Sequence, residues 1–296
     1  MGDTKKKERR KMGDRFDGKL LRDLDAMHII TPLLYPNRCD NEAYISETFD
    51  MAPIRAYVDK KNAENPVFKY TMFHVFVTAI LKLIVLRPKL NRFIQNKNMY
   101  QRNEITASFV VKKLFTDDAE EALAIIKAQP SDTADTIHEQ LYKQISSCKD
   151  ASQVDGSTNA MNIVSKIPRP IMKFFVGIIC WLDRIGHCPR GLIETDPYYT
   201  SVVLSNVGSI KLRSGYHHLV NWGTNSIFGL LGEIKTVREL QADGTVTEKE
   251  VVNLGITVDE RLSDGYYYSK SVRLLKTIMA NPDCLDLPLD TPVDYK

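Results

Sequence analysis

Apolar positions along the chain fall into two periods. Val251, Val252, Leu254, Ile256 and Val258 are mostly β-branched and largely alternate with polar residues, as in a strand with one buried face. Asp264-Gly265 then signals a turn. Beyond it Tyr268, Val272, Leu275 and Met279 recur at helical spacing until Asn281-Pro282 stops the run. The predicted order is strand, acidic turn, helix, with Val258-Asp259-Glu260-Arg261-Leu262-Ser263-Asp264-Gly265 as the polar joint.

The same periods divide the rest of the chain. Residues 20–29 have helical periodicity, broken by Pro32 and Pro36. Tyr44-Ile45-Ser46-Glu47-Thr48-Phe49-Asp50 alternates as a strand, and Pro53 fits the first turn of a helix reaching about residue 61. Residues 71–86 form the most apolar long segment. They hold a Lys and a His and number 16, short of the ~20 residues a membrane span needs, so a buried helix is predicted with His74 in its core or rim. Strands follow over 105–115, with Asp117 or Asp118 placed to cap a helix over 119–127. Residues 129–168 are polar and helix-prone, with a loop at 151–157. Residues 171–182, after Pro168 and Pro170, are apolar nearly all round. A buried helix, a subunit contact, an acyl-chain pocket and an interfacial segment all fit them better than a span. Ser201-Val202-Val203-Leu204-Ser205-Asn206-Val207-Gly208 reads as a strand ending in a turn. Ile227-Phe228-Gly229-Leu230-Leu231-Gly232-Glu233-Ile234 reads as another, and Asp243-Gly244 marks a hairpin leading to residues 251–258.

Composition narrows the class. With 296 residues, 43% hydrophobic and 26% charged, the chain can bury a sizeable core and is not a disordered polymer. The net charge of +3 is uneven: residues 1–22 carry nine Lys/Arg against four Asp/Glu. This predicts a basic N-terminal extension over 1–22 and one folded domain over 23–296. No aromatic residue interleaves the charges in Lys5-Lys6-Lys7-Glu8-Arg9-Arg10-Lys11, so a solvated extension is expected there rather than a nucleic-acid or membrane contact. No apolar leader follows the basic run, and a cytoplasmic location is expected. Five scattered cysteines without a Cys-x-x-Cys pair predict neither a disulfide framework nor a zinc site. No metal is expected. Phosphate-loop and dinucleotide-binding fingerprints are absent.

The acidic turn resembles the C-terminal signature of the chloramphenicol acetyltransferases and of the catalytic domain of dihydrolipoyl acyltransferases. That signature reads His, three residues, Asp, Gly, often within Asp-His-Arg-x-x-Asp-Gly. Asp259, Arg261, Asp264 and Gly265 match it, and Glu260 stands at the histidine position. Arg87-Pro88-Lys89-Leu90-Asn91 is similar to a Pro-x-Leu-Asn segment of the same family. Ser205-Asn206 falls on its Thr-Ile-Ser-Asn-Leu-Gly stretch. The resemblance covers most of 43–127 and 200–289. It implies an α/β two-layer sandwich, a mixed β-sheet covered by helices, in a homotrimer that uses coenzyme A or acyl-CoA as co-substrate and a small-molecule acyl acceptor. The chain shows no lipoyl domain, which fits a free-standing relative.

The resemblance also assigns roles. Ser205 would hydrogen-bond the oxyanion of the tetrahedral intermediate, a contribution of ~2.7–4 kcal/mol for such a donor. Glu260 would replace the general base, Asp264 would complete the catalytic set by holding the turn through charge pairing, and Asp259, Arg261, Gly265 and Asn206 would be structural at the site. An ordinary glutamate facing a thiol accepts its proton uphill by about four pKa units, roughly 6 kcal/mol, whereas imidazole sits near neutrality. His217 and His218, the sole paired histidines, are candidate substitute bases. Two functions stay open: a CoA-dependent acyltransferase with a variant site, and a catalytically inactive acyltransferase-like trimer with a binding or regulatory role.

Overall fold

The computed structural model describes residues 10–112, 121–149 and 167–295. Among the described residues nine strands form two sheets. A small sheet pairs β1 (Gly18–Leu20) and β3 (Arg92–Gln95) on either side of β4 (Asn98–Arg102). The main sheet has the order β2-β9-β8-β7-β5-β6, with β2 Glu42–Asp50, β5 Ile105–Lys112, β6 Glu121–Ala128, β7 Val202–Asn206, β8 Ile227–Leu240 and β9 Val246–Asp259. β7 runs parallel to β5 and β8, and the other pairs are antiparallel. The sheet is therefore mixed, and the two-layer α/β arrangement is present.

One face of the main sheet carries helices α2 (Met51–Ala63), α3 (Met72–Leu86), α4 (Ala134–Lys149) and α7 (Gly265–Ala280). Alternation along the strands decides this. Val202, Leu204, Val252, Leu254, Ile256 and Val258 enter the helix-covered core, while Val203, Phe228 and Leu230 point to the other face. A chain segment rather than helices covers that second face. Its backbone comes so close that a Cβ on Gly255 would fall on the carbonyl oxygen of Gly215, and one on Gly232 would meet Ser214. Glycine is needed at both positions for this close approach.

The described part of the basic segment is tied into the fold. β1 pairs with β4, and the buried Arg15 binds Asp17 at 2.8 Å and Asp183 at 2.9 Å. The nearby α1 (Ala26–Leu34) corrects the expected helix over 20–29. It starts only where Asp25 accepts a hydrogen bond from the His28 N–H, and Leu20 belongs to a strand. Pro32 lies inside it at the loss of a single backbone bond, and the helix ends at Tyr35, just before Pro36.

The described residues of the helix expected over 119–127 are likewise not helical. Glu121–Ala128 is strand β6, antiparallel to β5. Ala124, Ile126 and Ala128 alternate into the core, and this period of two, paired against β5, overrides the helix propensity of alanine. The proposed caps Asp117 and Asp118, and the loop at 151–157, lie outside the described residues.

The apolar segment 171–182 forms most of α5 (Arg169–Arg184), followed by the short α6 (Arg190–Glu194). It is not buried within the chain: Phe174 is 66% exposed and Trp181 58%. Among the described residues only its C-terminal end is anchored, through buried Asp183 and through Ile179 against Cys188, Ile193 and Tyr199. Among the described residues no helix is long and apolar enough to cross a membrane.

Candidate functional site

The acidic turn is built by strand β9 running out at Asp259 and helix α7 starting at Gly265. The Asp259 N–H donates to the Ser226 carbonyl at 3.0 Å, and the Glu260 N–H to that of Asn41 at 3.0 Å, so the turn is stitched to two neighbouring segments. Asp259 is fully buried. Arg261 grips it in a fork, Nε to Oδ1 at 2.8 Å and Nη2 to Oδ2 at 2.6 Å, and its Nη1 donates to the Tyr35 carbonyl at 2.6 Å. This buried bidentate pair joins the turn to the end of α1. The Tyr268 hydroxyl donates to the Asp259 carbonyl at 2.7 Å. Burial first, then the charges of Asp259 and Glu260, raises this phenol well above its ordinary pKa and keeps it a donor.

Asp264 has a different task. It is exposed and caps α7, accepting from the Tyr267 N–H at 2.7 Å. A Cβ on Gly265 would meet nothing within 4 Å, so no steric demand holds glycine there. Glu260 is exposed, and its carboxylate makes no hydrogen bond or ion pair with any described residue. Of the acidic residues in the turn, Asp259 is locked, Asp264 is a cap and Glu260 is free.

Ser205 lies at the C-terminal end of β7, half-buried, on the face away from the helices, since it follows Val203 by two residues. Its hydroxyl has no partner among the described residues, and the neighbouring Asn206 Oδ1 is buried without one. The register Ser205↔Leu230↔Gly255 sets its distance from the turn. Glu260 is five residues beyond Gly255 and two strand spacings away, which is roughly 19 Å between backbones. One chain thus holds Ser205 and Glu260 toward opposite ends of the sheet and does not bring them together.

The segment bearing the paired histidines crosses this same face. Ser214 Oγ donates to the Leu230 carbonyl at 3.1 Å, and the Leu219 N–H donates to the Glu42 carboxylate on β2. Half-buried His217 stacks on Phe228 with ring centroids 4.1 Å apart. Phe228 is in register with Val203 and Thr257, so His217 lies over the sheet between Ser205 and Glu260. Its Nδ1 pairs with the His218 carbonyl at 2.7 Å, which makes Nδ1 the protonated nitrogen and leaves Nε2 as acceptor. His218 is exposed. The periodicity of the sequence carried no sign of the Tyr35 carbonyl, Tyr268 hydroxyl or Asn41 contacts, because each joins segments far apart in the chain.

Sequence comparison finds no matching family model and no similar curated protein. Solved structures do match. A probable dihydrolipoamide acetyltransferase from Listeria monocytogenes aligns with a TM-score of 0.56 at 12% identity, covering 88% of this chain and 94% of that one. The truncated catalytic core of a 2-oxoacid dehydrogenase multienzyme complex from Thermoplasma acidophilum gives 0.53 at 16% identity, covering 90% and 99%. A chloramphenicol acetyltransferase gives 0.52 at 12%, covering 88% and 99%. Over nearly its whole length, this chain has the fold shared by the dihydrolipoamide acyltransferase catalytic domains and chloramphenicol acetyltransferase.

Proposed function

We propose that the chain is a CoA-dependent acyltransferase with a variant base, acting as a homotrimer in which Ser205 of one subunit faces the acidic turn of its neighbour. One observation carries this reading. At the two motif positions that would do chemistry, Ser205 and Glu260, the side chains have no partner among the described residues, while Asp259, Arg261 and Asp264 beside Glu260 are all engaged. The separation of Ser205 and Glu260 within one chain fits a site completed by a second copy.

In the reaction, a base takes the proton of a thiol, hydroxyl or amine acceptor, and the acceptor attacks the thioester carbonyl of an acyl-CoA. Ser205 donates to the resulting oxyanion. The carbon–sulfur bond then breaks, and the CoA thiolate leaves with the proton returned by the base. Asp259 and Arg261 hold the turn, Asp264 starts α7, and Asn206 sits beside the oxyanion donor. Glu260 is the first candidate base and the His217 Nε2 the second, being already on the Ser205 face.

The second reading is an inactive trimer that binds without turnover, favoured by a carboxylate at the histidine position. Release of free CoA thiol, measured with a panel of acyl-CoAs and thiol, hydroxyl and amine acceptors, separates the two. Transfer that falls about 10²–10³-fold in Ser205→Ala and is lost in Glu260→Gln or in His217→Ala identifies the enzyme and its base. No transfer from any acyl-CoA, with ligand affinity intact in Glu260→Gln, leaves the binding protein. A monomer in light scattering would remove the shared site from both.

A further inference from the structure

Behind the acidic turn lies a cavity of about 190 Å³. Four separate segments bring a cation to its wall: Arg38 after α1, Lys97 at the β3–β4 hairpin tip, Arg184 at the end of α5, and Arg261 of the turn. No carboxylate of a described residue lines it.

The charges on these residues are unequally balanced. Arg261 is neutralised by Asp259. Arg38 is not. It is 3% exposed, and among the described residues its guanidinium donates only to the carbonyls of Val220 at 2.6 Å, Ile94 at 3.0 Å and Gly223 at 3.1 Å, while its buried Nε finds no partner. The acidic groups that act on it are already in use, Asp259 by Arg261 and Asp183 by Arg15 and Gln95. Burial lowers its pKa to about 10, so it remains charged at neutral pH. A buried guanidinium without a counter-ion is costly, and an anion in the cavity offsets that cost. Lys97 and Arg184 are exposed and form no ion pair with any described residue.

We infer that this cavity binds a small phosphate-bearing anion, either free phosphate or the phosphomonoester group of a small metabolite. Three cations without a carboxylate partner match a dianion better than a single carboxylate, and guanidinium forks suit phosphate oxygens. The volume is below the ~300–1,000 Å³ of a site for a drug-sized ligand, which points to the anionic group itself or a very small ester. The inference does not depend on acyl transfer.

The test is calorimetric titration of the full chain with inorganic phosphate and with glycerol phosphate, against sodium chloride at matched ionic strength. Saturable binding is expected, weakened at least tenfold in Lys97→Ala/Arg184→Ala and unchanged in Arg238→Ala on the distant β8–β9 hairpin. The first two side chains are exposed, so this variant folds even if Arg38→Met does not. Tighter glycerol phosphate assigns a phosphorylated metabolite; tighter or equal inorganic phosphate assigns the free ion. Absence of saturable binding, or equal binding by Lys97→Ala/Arg184→Ala and the parent, overturns the inference. Saturating CoA that abolishes phosphate binding, with the same variant losing CoA affinity in proportion, overturns it as a site of its own.

Discussion

Helices α3 and α5 look alike as strings of apolar residues, yet eleven residues of α3 are buried and only Asp183 of α5 is. α3 lies against the main sheet with α2, α4 and α7 beside it, so even its charged Lys82 is enclosed and donates to the Pro288 carbonyl at 2.8 Å. Burial accordingly lowers the Lys82 pKa. α5 is held at one end and presents Ile171, Phe174, Phe175, Ile178 and Trp181 outward at helical spacing. Apolar composition says that a segment gains by being covered; it does not say what covers it. For α3 the cover is in the same chain. For α5 no described residue supplies it, and exposed patches of this kind mark contacts with other molecules.

The largest effect that tests this contrast is a truncation in α3. Phe76→Ala is expected to lower the unfolding free energy by about 3–5 kcal/mol in chemical denaturation, while the matching Phe174→Ala in α5 changes it by less than about 0.5 kcal/mol. Similar losses at both positions would mean that α5 is part of the core.

A middle-sized effect comes from acid. His74 near the start of α3 accepts the Thr71 N–H on Nδ1 at 2.8 Å. Burial, and then the neighbouring His138, lowers its pKa to about 3. Its folded value lies below its unfolded value, so the unfolded state binds the extra proton. Stability is full above pH ~6.5 and falls as the pH drops toward 3, by about 1.4 kcal/mol per unit, or about 2 kcal/mol by pH 5. His74→Gln is expected to flatten this fall in denaturation curves taken from pH 7 to pH 4. An unchanged slope would show that His74 is not its source. α5 contains no histidine, so substitutions there leave the slope alone.

The smallest effect on folding belongs to Phe174→Ser combined with Trp181→Ser. Stability is expected to stay within about 0.5 kcal/mol per site, while the mass measured by light scattering falls if another copy covers the helix. An unchanged assembly would place the subunit contact elsewhere.

Local chemistry explains what was readable. β2, β9 and α7 appear where alternation and helical spacing place them, and the turn expected at Asp264-Gly265 is where Asp264 caps α7. The 119–127 stretch failed because alanine suits a helix by propensity, yet a strand that already has β5 as its partner gains more from alternation. The helix expected over 20–29 failed because Leu20 pairs with Tyr100, a residue far along the chain. At the candidate site the motif positions were legible in the sequence, but not whether each side chain is buried, paired or free.

The sequence by itself determined β2, β9, α7 and the acidic turn that joins the last two, because these depend on residues a few positions apart. Tertiary structure alone decided which apolar helix is covered, which acid in the turn is locked and which is free, and that one chain separates Ser205 from Glu260 across two strands. It also decided that Arg38 lies buried beside that turn without a counter-ion among the described residues. Burial, pairing and distance are set by segments that meet only when the chain folds.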